Sequence, residues 1–268
     1  MDVVTKRGEI IPLEQRQKVS RRYKRITRAI NSEFWDSTSD TAHSFYVGSY
    51  GRGTAIDTSD IDILVELPYD EYKRFDALKG NGQSRLLQAV KEAVKETYPT
   101  SKVHADGQVV VIDFTDGIMF EILPAFQQLD YWRNWNGKYS YPDSNMGGNW
   151  LTTNPKAEQE AMRQRNEESN GLLFDTCKHM RQIRDVHFSS YHLPGIVIDS
   201  FAYHYIGGWH WLREGEESTE PSGTYEKKLY RECPPYGFRL YAPGSGESVD
   251  TSGCVDVLLK VLNYMSKE

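Results

Sequence analysis

The stretch that most constrains this chain runs from residue 43 to residue 67. The apolar and aromatic run from His43 to Val47 has the composition of a β-strand, and it stops at Gly48-Ser49. A glycine-rich loop over residues 48–54 follows, and residues 60–67 then alternate between polar and apolar side chains as a second strand does. These two strands lie between helices predicted over residues 14–36 and 70–97, so the N-terminal half is expected to mix helices with a sheet.

Two acids lie at the start of the second strand. Residues two apart on a strand point to the same face, so Asp60 and Asp62 are expected side by side. Close carboxylates repel each other unless a cation lies between them, and Mg²⁺ prefers such oxygen ligands together with substrate phosphates. The N–H groups and hydroxyl of the Gly48-Ser49 turn suit phosphate oxygens. These residues predict a metal-dependent nucleotide site; the alternative is that the two aspartates only form a solvated strand edge.

A predicted hairpin over residues 108–123 offers a third acid. Glu121 lies between apolar residues on the second strand, the pattern of an acid that faces a site while its neighbours face the core. Asp113, on the first strand, is the competing candidate. Asp116 lies in the turn, where its residue type favours turn geometry.

The rest of the chain divides into a mixed α/β half over residues 1–150 and a mostly helical half over residues 151–268. Apolar spacing predicts helices over residues 14–36, 70–97 with an interruption at 80–82, 155–187, 195–213 and 254–266. Residues 130–153, rich in Trp, Tyr, Asn and Gly, are predicted to be a loop, either packed on the core or offering aromatic rings for base stacking. Residues 214–250 are predicted to be an exposed loop or a small subdomain.

Composition and charge exclude several classes. The 268 residues carry 32 Lys and Arg against 38 Asp and Glu, a net charge of −6, which argues against a large nucleic-acid footprint. No apolar stretch approaches the ~18 residues of a membrane span, and the N-terminus lacks the apolar region of a secretion signal. Cys177, Cys233 and Cys254 are far apart, so neither a disulfide framework nor a zinc site is expected, and a cytoplasmic location is the simplest interpretation.

These residues resemble a known family. The stretch from Gly48 to Thr54 followed by Asp60-Ile61-Asp62 looks like the signature of the DNA polymerase β-like nucleotidyltransferases, and more narrowly of the bacterial cGAS/DncV-like nucleotidyltransferases. Residues 120–126 resemble the strand that carries the family's third acid, although Asp is commoner there than Glu121. The resemblance covers the chain from about residue 14 to about residue 212.

The resemblance implies an α+β fold, with a polymerase β-like lobe, a helical C-terminal lobe and an active site in the cleft between them. It implies that the enzyme joins nucleoside triphosphates (ATP, GTP, CTP or UTP) into a cyclic di- or trinucleotide, or a short oligonucleotide, which signals to an effector in anti-phage defence. Gly48 and Ser49 would bind the donor triphosphate, and Asp60, Asp62 and Glu121 would hold two Mg²⁺ or Mn²⁺ ions.

The family also places a basic residue and a serine of the helical lobe against the triphosphate. Lys178 matches the first, with a solvated helix face as the alternative, and Arg181 and Arg184 are competing residues. Ser200 matches the second, with a helix N-cap as the alternative.

The sequence is compatible with two other functions. The same chemistry serves transfer of a nucleotide to another acceptor, such as an RNA 3′ end, a small molecule or a protein. A catalytically silent nucleotide-binding sensor is the second, and three intact metal ligands argue against it.

Overall fold

The computed structural model of the protein describes residues 11–58, 60–234 and 239–267. They form two compact units, which we call the first and the second unit. The first unit comprises Ile11–Gly51 with Thr58–Pro155, and the second comprises Arg52–Asp57 with Lys156–Glu268. The short segment Arg52–Asp57 thus belongs to the second unit, although in sequence it interrupts the first.

The first unit combines helices with a sheet. Its helices are α1 (Leu13–Phe34), α2 (Gly48–Arg52, whose last residue belongs to the second unit), α3 (Tyr69–Asp76) and α4 (Gly82–Thr97). Its strands are β1 (Ser44–Tyr46), β2 (Ile61–Glu66), β3 (Lys102–Asp106), β4 (Val109–Asp113), β5 (Met119–Leu129), β6 (Trp135–Asp143) and β7 (Asn149–Thr153). A short 3₁₀ turn, Asn145–Gly147, connects the last two strands.

The sheet places β2 and β5 next to each other at its centre. The strand order is β1-β2-β5-β4-β3, with β6 pairing to β5 and β7 pairing to β6. The pair β2–β5 is parallel, and the other neighbours are antiparallel. The sheet is therefore mixed, and the starts of β2 and β5 lie side by side.

One face of this sheet is covered by α1 and α4. Ile61 and Ile63 of β2 share a buried core with Ile26 of α1 and with Leu86 and Val90 of α4. Because side chains alternate along a strand, the residue between the two isoleucines projects from the opposite face. The apolar spacing of α1 and α4 thus determines which face of the sheet is left for chemistry.

The second unit is mainly helical. Its elements are α5 (Pro155–Glu168), α6 (Leu172–His187), α7 (Gly195–Tyr205), α8 (Thr224–Glu232), β8 (Leu240–Tyr241), β9 (Ser248–Val249) and α9 (Val255–Met265). Leu173, Phe201, Leu229 and Leu258, from four different helices, share its buried core. Helix packing therefore supplies the stability of this unit, as burial of apolar side chains does in general.

The α+β class predicted from the sequence is confirmed, and so is the interruption between α3 and α4. Asn81 precedes α4, and its side chain accepts a hydrogen bond from the Ser84 N–H at 2.8 Å, which caps the helix. The predicted helix over residues 14–36 and the strand over residues 60–67 agree with α1 and β2 to within two residues. Strand β3 was not predicted.

The predicted loop over residues 130–153 is wrong, because β6 and β7 form most of it. Its aromatic residues divide into two groups. Tyr139 is fully buried, and the Trp150 ring packs against Phe126 with 5.7 Å between the ring centroids. Tyr131 and Trp132, in the connection between β5 and β6, are 92% and 77% exposed.

Three other predicted elements need correction. The glycine-rich loop contains the short helix α2. The single helix over residues 155–187 is divided into α5 and α6, because Asn170 and Gly171 adopt positive φ values of 52° and 94° that no helix continues through. The helix predicted over residues 195–213 ends at Tyr205.

The stretch over residues 214–250 is not simply an exposed loop. Tyr225 and Leu229 of α8 and Leu240 and Val249 of the β8–β9 pair are buried in the core of the second unit. The exposed part lies before α8, where residues 213–222 are exposed throughout.

Candidate active site

Asp62 and Glu121 lie opposite each other on the two central strands. They are register partners in the parallel pair β2–β5, so their backbones are separated by one strand spacing of about 4.8 Å. Their carboxyl groups are hydrogen-bonded to each other. Asp60 comes just before β2 and is exposed. The structure thus brings two of the three predicted acids into contact and places the third two residues away along the chain.

The surroundings of Glu121 disfavour its negative charge. Burial raises the pKa of this carboxyl, the charge of Asp60 raises it further, and the hydrogen bond from Asp62 offsets part of that rise. Asp106, at the end of β3, contributes to the same increase of the Glu121 pKa. Sequence reasoning missed Asp106, because only the pairing of β3 with β4 brings it to this part of the sheet.

The Gly48-Ser49 turn lies directly on Asp62. The Val47 N–H donates to the Asp62 carbonyl oxygen at 2.9 Å. Gly48 has φ +56°, and a Cβ at this position would lie 1.9 Å from Oδ2 of Asp62. Only glycine fits here, both for the backbone conformation and for the space left by the carboxylate. Ser49 follows as the second residue of α2.

The two competing acids are engaged elsewhere. Asp113 forms an ion pair with Lys102, with 2.9 Å between Oδ2 and Nζ. Asp116 receives two hydrogen bonds from Arg22, at 2.9 and 3.0 Å, and this contact holds the Asp116 pKa below its usual value. Asp116 therefore links the hairpin turn to α1. The sequence predicted only a role in the geometry of the turn.

The donor set suits a divalent cation, although the acids are not gathered around an ion site. Carboxylate oxygens are the ligands that Mg²⁺ prefers. The raised pKa of Glu121, surrounded by other acids, is an electrostatic strain that a cation relieves. Over residues 11–58, 60–234 and 239–267, however, no group of three or more acidic, His or Cys side chains is arranged to hold a metal as it stands. The charge of Asp60 nevertheless acts on Glu121, so a cation at this position would interact with all three acids.

The remaining predicted residues belong to the second unit. Lys178 lies on α6 and is partly buried. Ser200 is fully buried in the interior of α7, so the N-cap alternative is wrong, since α7 begins at Gly195. The Ser200 hydroxyl has no hydrogen-bond partner among the residues that the structure describes.

The competing arginines both have other partners. Arg181 is 1% exposed and forms an ion pair with Asp199 at 2.6 Å. Arg184 pairs with Asp185 at 2.6 Å and donates to the Leu193 carbonyl oxygen at 3.0 Å. These contacts engage both guanidinium groups within the second unit.

None of the described helices combines the length and the apolar content that crossing a bilayer requires.

Residues 7–166 match the family model of the Second Messenger Oligonucleotide or Dinucleotide Synthetase domain. A probable cyclic nucleotide synthase of Bacillus cereus (strain VD146) is 25% identical over 160 residues. That match covers 56% of this chain and 47% of the relative, so the chain spans about half the length of the curated relative it matches.

Solved structures with a similar fold include three nucleotide synthases. The Vibrio cholerae DncV cyclic AMP-GMP synthase has a TM-score of 0.66 at 13% identity, with 96% of this chain and 85% of that chain covered. The CdnE c-di-GMP synthase of Capnocytophaga granulosa has a TM-score of 0.63 at 12% identity, with 94% and 81% covered. The Elizabethkingia meningoseptica CdnE cyclic dinucleotide synthase, solved with GTP and Apcpp, has a TM-score of 0.59 at 14% identity, with 92% and 89% covered. At these identities the likeness establishes the fold.

Proposed function

Because this chain belongs to the family of Second Messenger Oligonucleotide or Dinucleotide Synthetase domains, we propose that it is a metal-dependent nucleotidyltransferase. It joins nucleoside triphosphates into a cyclic di- or trinucleotide or a short oligonucleotide. The resemblance to the bacterial cGAS/DncV-like nucleotidyltransferases is confirmed by the family match and by the folds of DncV and CdnE. The observation that carries the proposal is the contact between Asp62 and Glu121 beneath the Gly48 turn.

Each site residue has a proposed role in this reaction. Asp60, Asp62 and Glu121 would hold two Mg²⁺ or Mn²⁺ ions, which would supply Lewis-acid activation of the attacking hydroxyl and of the leaving pyrophosphate. Gly48 and Ser49 orient the donor triphosphate, through backbone N–H groups and the serine hydroxyl.

The bond changes follow from this arrangement. A ribose hydroxyl oxygen of the acceptor bonds to the α-phosphorus of the donor and releases its proton to solvent. The bond between that phosphorus and the bridging oxygen breaks, and pyrophosphate leaves. The turn holds the donor phosphates in place, so the protein contributes orientation in addition to charge stabilisation.

The second unit supplies further proposed contacts. On the strength of the family resemblance, Lys178 and Ser200 bind the same triphosphate. In this proposal the first unit is the catalytic lobe of the enzyme and the second unit is its helical lobe. A Lys178→Met variant with an increased KM for the nucleotide supports this role, and an unchanged KM rejects it.

The wider function is also a proposal. The product acts as a signal in anti-phage defence, read by a nucleotide-responsive effector protein. The three free cysteines fit a reducing, cytoplasmic setting. A gene for such an effector next to the gene of this protein would support the signalling role. A reaction product that binds no effector encoded nearby would argue against it.

The test is product formation from all four labelled nucleoside triphosphates with Mg²⁺ or Mn²⁺. We expect a product that resists phosphatase, and mass spectrometry identifies it as cyclic, linear or attached to another acceptor. Asp62→Asn is expected to abolish the product, whereas Asp113→Asn, on the same sheet but paired to Lys102, is the matched control that retains it. A folded protein that binds nucleotide and metal but makes no product would be the silent sensor instead.

A further inference from the structure

The segment Arg52–Asp57 has an unusual position in the chain. In sequence it lies between Gly48-Ser49 and the acids Asp60 and Asp62, which belong to the first unit. The segment itself is grouped with the second unit. The chain between the proposed phosphate-binding turn and the proposed metal ligands is therefore anchored in the helical unit.

The anchor is the carboxylate of Asp199, on α7, which is fully buried. It accepts hydrogen bonds from Arg52 Nε at 2.8 Å and from the Thr54 hydroxyl at 3.0 Å. Arg181, on α6, donates to the same carboxylate at 2.6 and 2.9 Å. One buried carboxylate thus binds two side chains of the segment and one side chain of the helical core.

A second carboxylate completes the set. Arg52 Nη1 donates to Glu158 Oε2, on α5, at 3.1 Å. Two guanidinium groups thereby face two carboxylates in a region where Arg52 and Glu158 are each only 9% exposed. Arg52 is fixed by a fork of two hydrogen bonds to two different helices, which restricts it far more than a single ion pair does.

A buried ion-pair network of this kind is a weak argument for stability. The cost of removing the charges from water commonly cancels their attraction, so apolar side chains of the same volume would stabilise the fold equally well. What such a network provides is a defined geometry, because each hydrogen bond restricts the direction as well as the distance of its partner.

We propose that Arg52 and Thr54, held by Asp199, position helix α2 so that the Gly48-Ser49 turn keeps its place on Asp62 during nucleotide transfer. Arg52 is the last residue of α2, and Ser49 is three residues away, about 4.5 Å along the axis at 1.5 Å per residue. A shift of Arg52 is passed to Ser49 through this short helix. We assign Arg52 and Thr54 a positioning role, because they are hydrogen-bonded to buried carboxylates of the second unit, Thr54 to Asp199 and Arg52 to Asp199 and Glu158; the inference rests on the proposed function.

A matched pair of substitutions at Thr54 tests the role. Thr54→Val keeps the shape and removes the hydroxyl that binds Asp199, whereas Thr54→Ser restores the hydroxyl. We expect Thr54→Val to lower kcat by about 10-fold or more with KM changed less than about 3-fold, because misplaced phosphate contacts act mainly on the transition state. Thr54→Ser is expected to recover most of kcat. Equal kcat values in the two variants, per folded molecule, overturn the proposal.

Arg52→Lys extends the test, since it keeps the charge but loses the fork to Asp199 and Glu158. Its control is Arg163→Lys, which removes a comparable fork to Glu160 and Glu167 on the exposed side of α5. We expect kcat to fall with Arg52→Lys and not with Arg163→Lys. If Arg52→Lys fails to fold, the Thr54 pair decides the question.

Amide hydrogen exchange provides a readout that does not depend on activity. The Gly51 N–H donates to the Val47 carbonyl oxygen at 2.9 Å, and this bond reports on α2. We expect residues 48–51 to exchange faster in Thr54→Val than in Thr54→Ser, with unchanged exchange in α9. A wild-type protein that makes no product refutes the proposed function, and the exchange comparison still decides the positioning. Unchanged exchange at residues 48–51 refutes the positioning even if the enzyme is active.

Discussion

Gly48→Ala is the substitution that examines the candidate site most directly. An alanine at φ +56° adopts a left-handed backbone, which costs about 1–2 kcal/mol. In addition, its Cβ would lie 1.9 Å from Oδ2 of Asp62, whereas real Cβ contacts hardly ever fall below 3.0 Å. The carboxylate of Asp62 must therefore move by about 1 Å or more, away from the position in which it meets Glu121.

The two effects predict different measurements. The backbone strain lowers the melting temperature by about 2–4 °C for each kcal/mol in a chain of this size. The displacement of Asp62 acts on catalysis, where a misplacement of about 1 Å costs about 100-fold in rate. We expect Gly48→Ala to fold, to melt a few degrees lower, and to lose about 100-fold or more of kcat/KM for product formation.

Gly80→Ala is the matched control. Gly80 belongs to the same unit and has φ +87°, but nothing lies within 4 Å of the Cβ that would be added. This variant carries the backbone strain without moving a carboxylate, so its melting temperature should fall similarly and its activity should be retained. If the two variants differ less than about 3-fold in kcat/KM, Asp62 does not need the position that Gly48 gives it, and the reasoning is refuted.

Three further predictions concern charge and packing. Glu121→Gln should stabilise the metal-free protein against urea at pH 7 and abolish product formation. Because the Glu121 pKa is raised in the folded protein, ionised Glu121 destabilises the fold at pH values above that pKa, and the effect is absent below its ordinary pKa. A urea midpoint for Glu121→Gln below that of the wild type contradicts this prediction. The Asp199 pKa is lowered to about 2, because Arg181 and Arg52 outweigh the effect of burial. Relative to a protonated Asp199, the ionised carboxylate therefore stabilises the fold by about 2 kcal/mol above pH 4. This contribution should be lost as the pH falls toward 2, whereas equal urea midpoints at pH 5 and pH 3 argue against it. Leu229→Ala should cost about 2–5 kcal/mol in the free energy of unfolding, since Leu229 is fully buried; a cost below about 0.5 kcal/mol would mean that α8 is not part of the core.

Local sequence patterns were sufficient to predict strand β2, at the centre of the sheet, and the face that carries its acidic residue. The alternation of residues 60–67 identifies both β2 and the face on which Asp62 lies, because a period of two is a property of the strand alone. The same reasoning selects Glu121 from its apolar neighbours. That Glu121 lies opposite Asp62 needed the register of two strands whose residues are about 60 positions apart.

The errors have identifiable physical causes. Strands β6 and β7 stabilise each other and β5 through pairing, and their Trp, Asn and Gly residues show little periodicity of their own. The division between α5 and α6 was visible in Asn170-Gly171, a pair that favours the left-handed conformation at helix ends. The hydrogen bond between Arg52 and Asp199 joins residues 147 positions apart, so no local sequence pattern predicts it.

Asp199, which is fully buried, and Glu121, which is partly buried, show two different uses of a carboxylate in this chain. Asp199 faces two arginines, which lower its pKa to about 2, and its charge is balanced within the second unit. Burial raises the Glu121 pKa, and the charges of Asp60 and Asp106 raise it further. A group whose neighbours disfavour its charge destabilises the folded protein until a cation binds, and residues kept at such a cost are characteristic of functional sites. The excess of negative charge around Glu121 therefore fits the divalent ion proposed for this site.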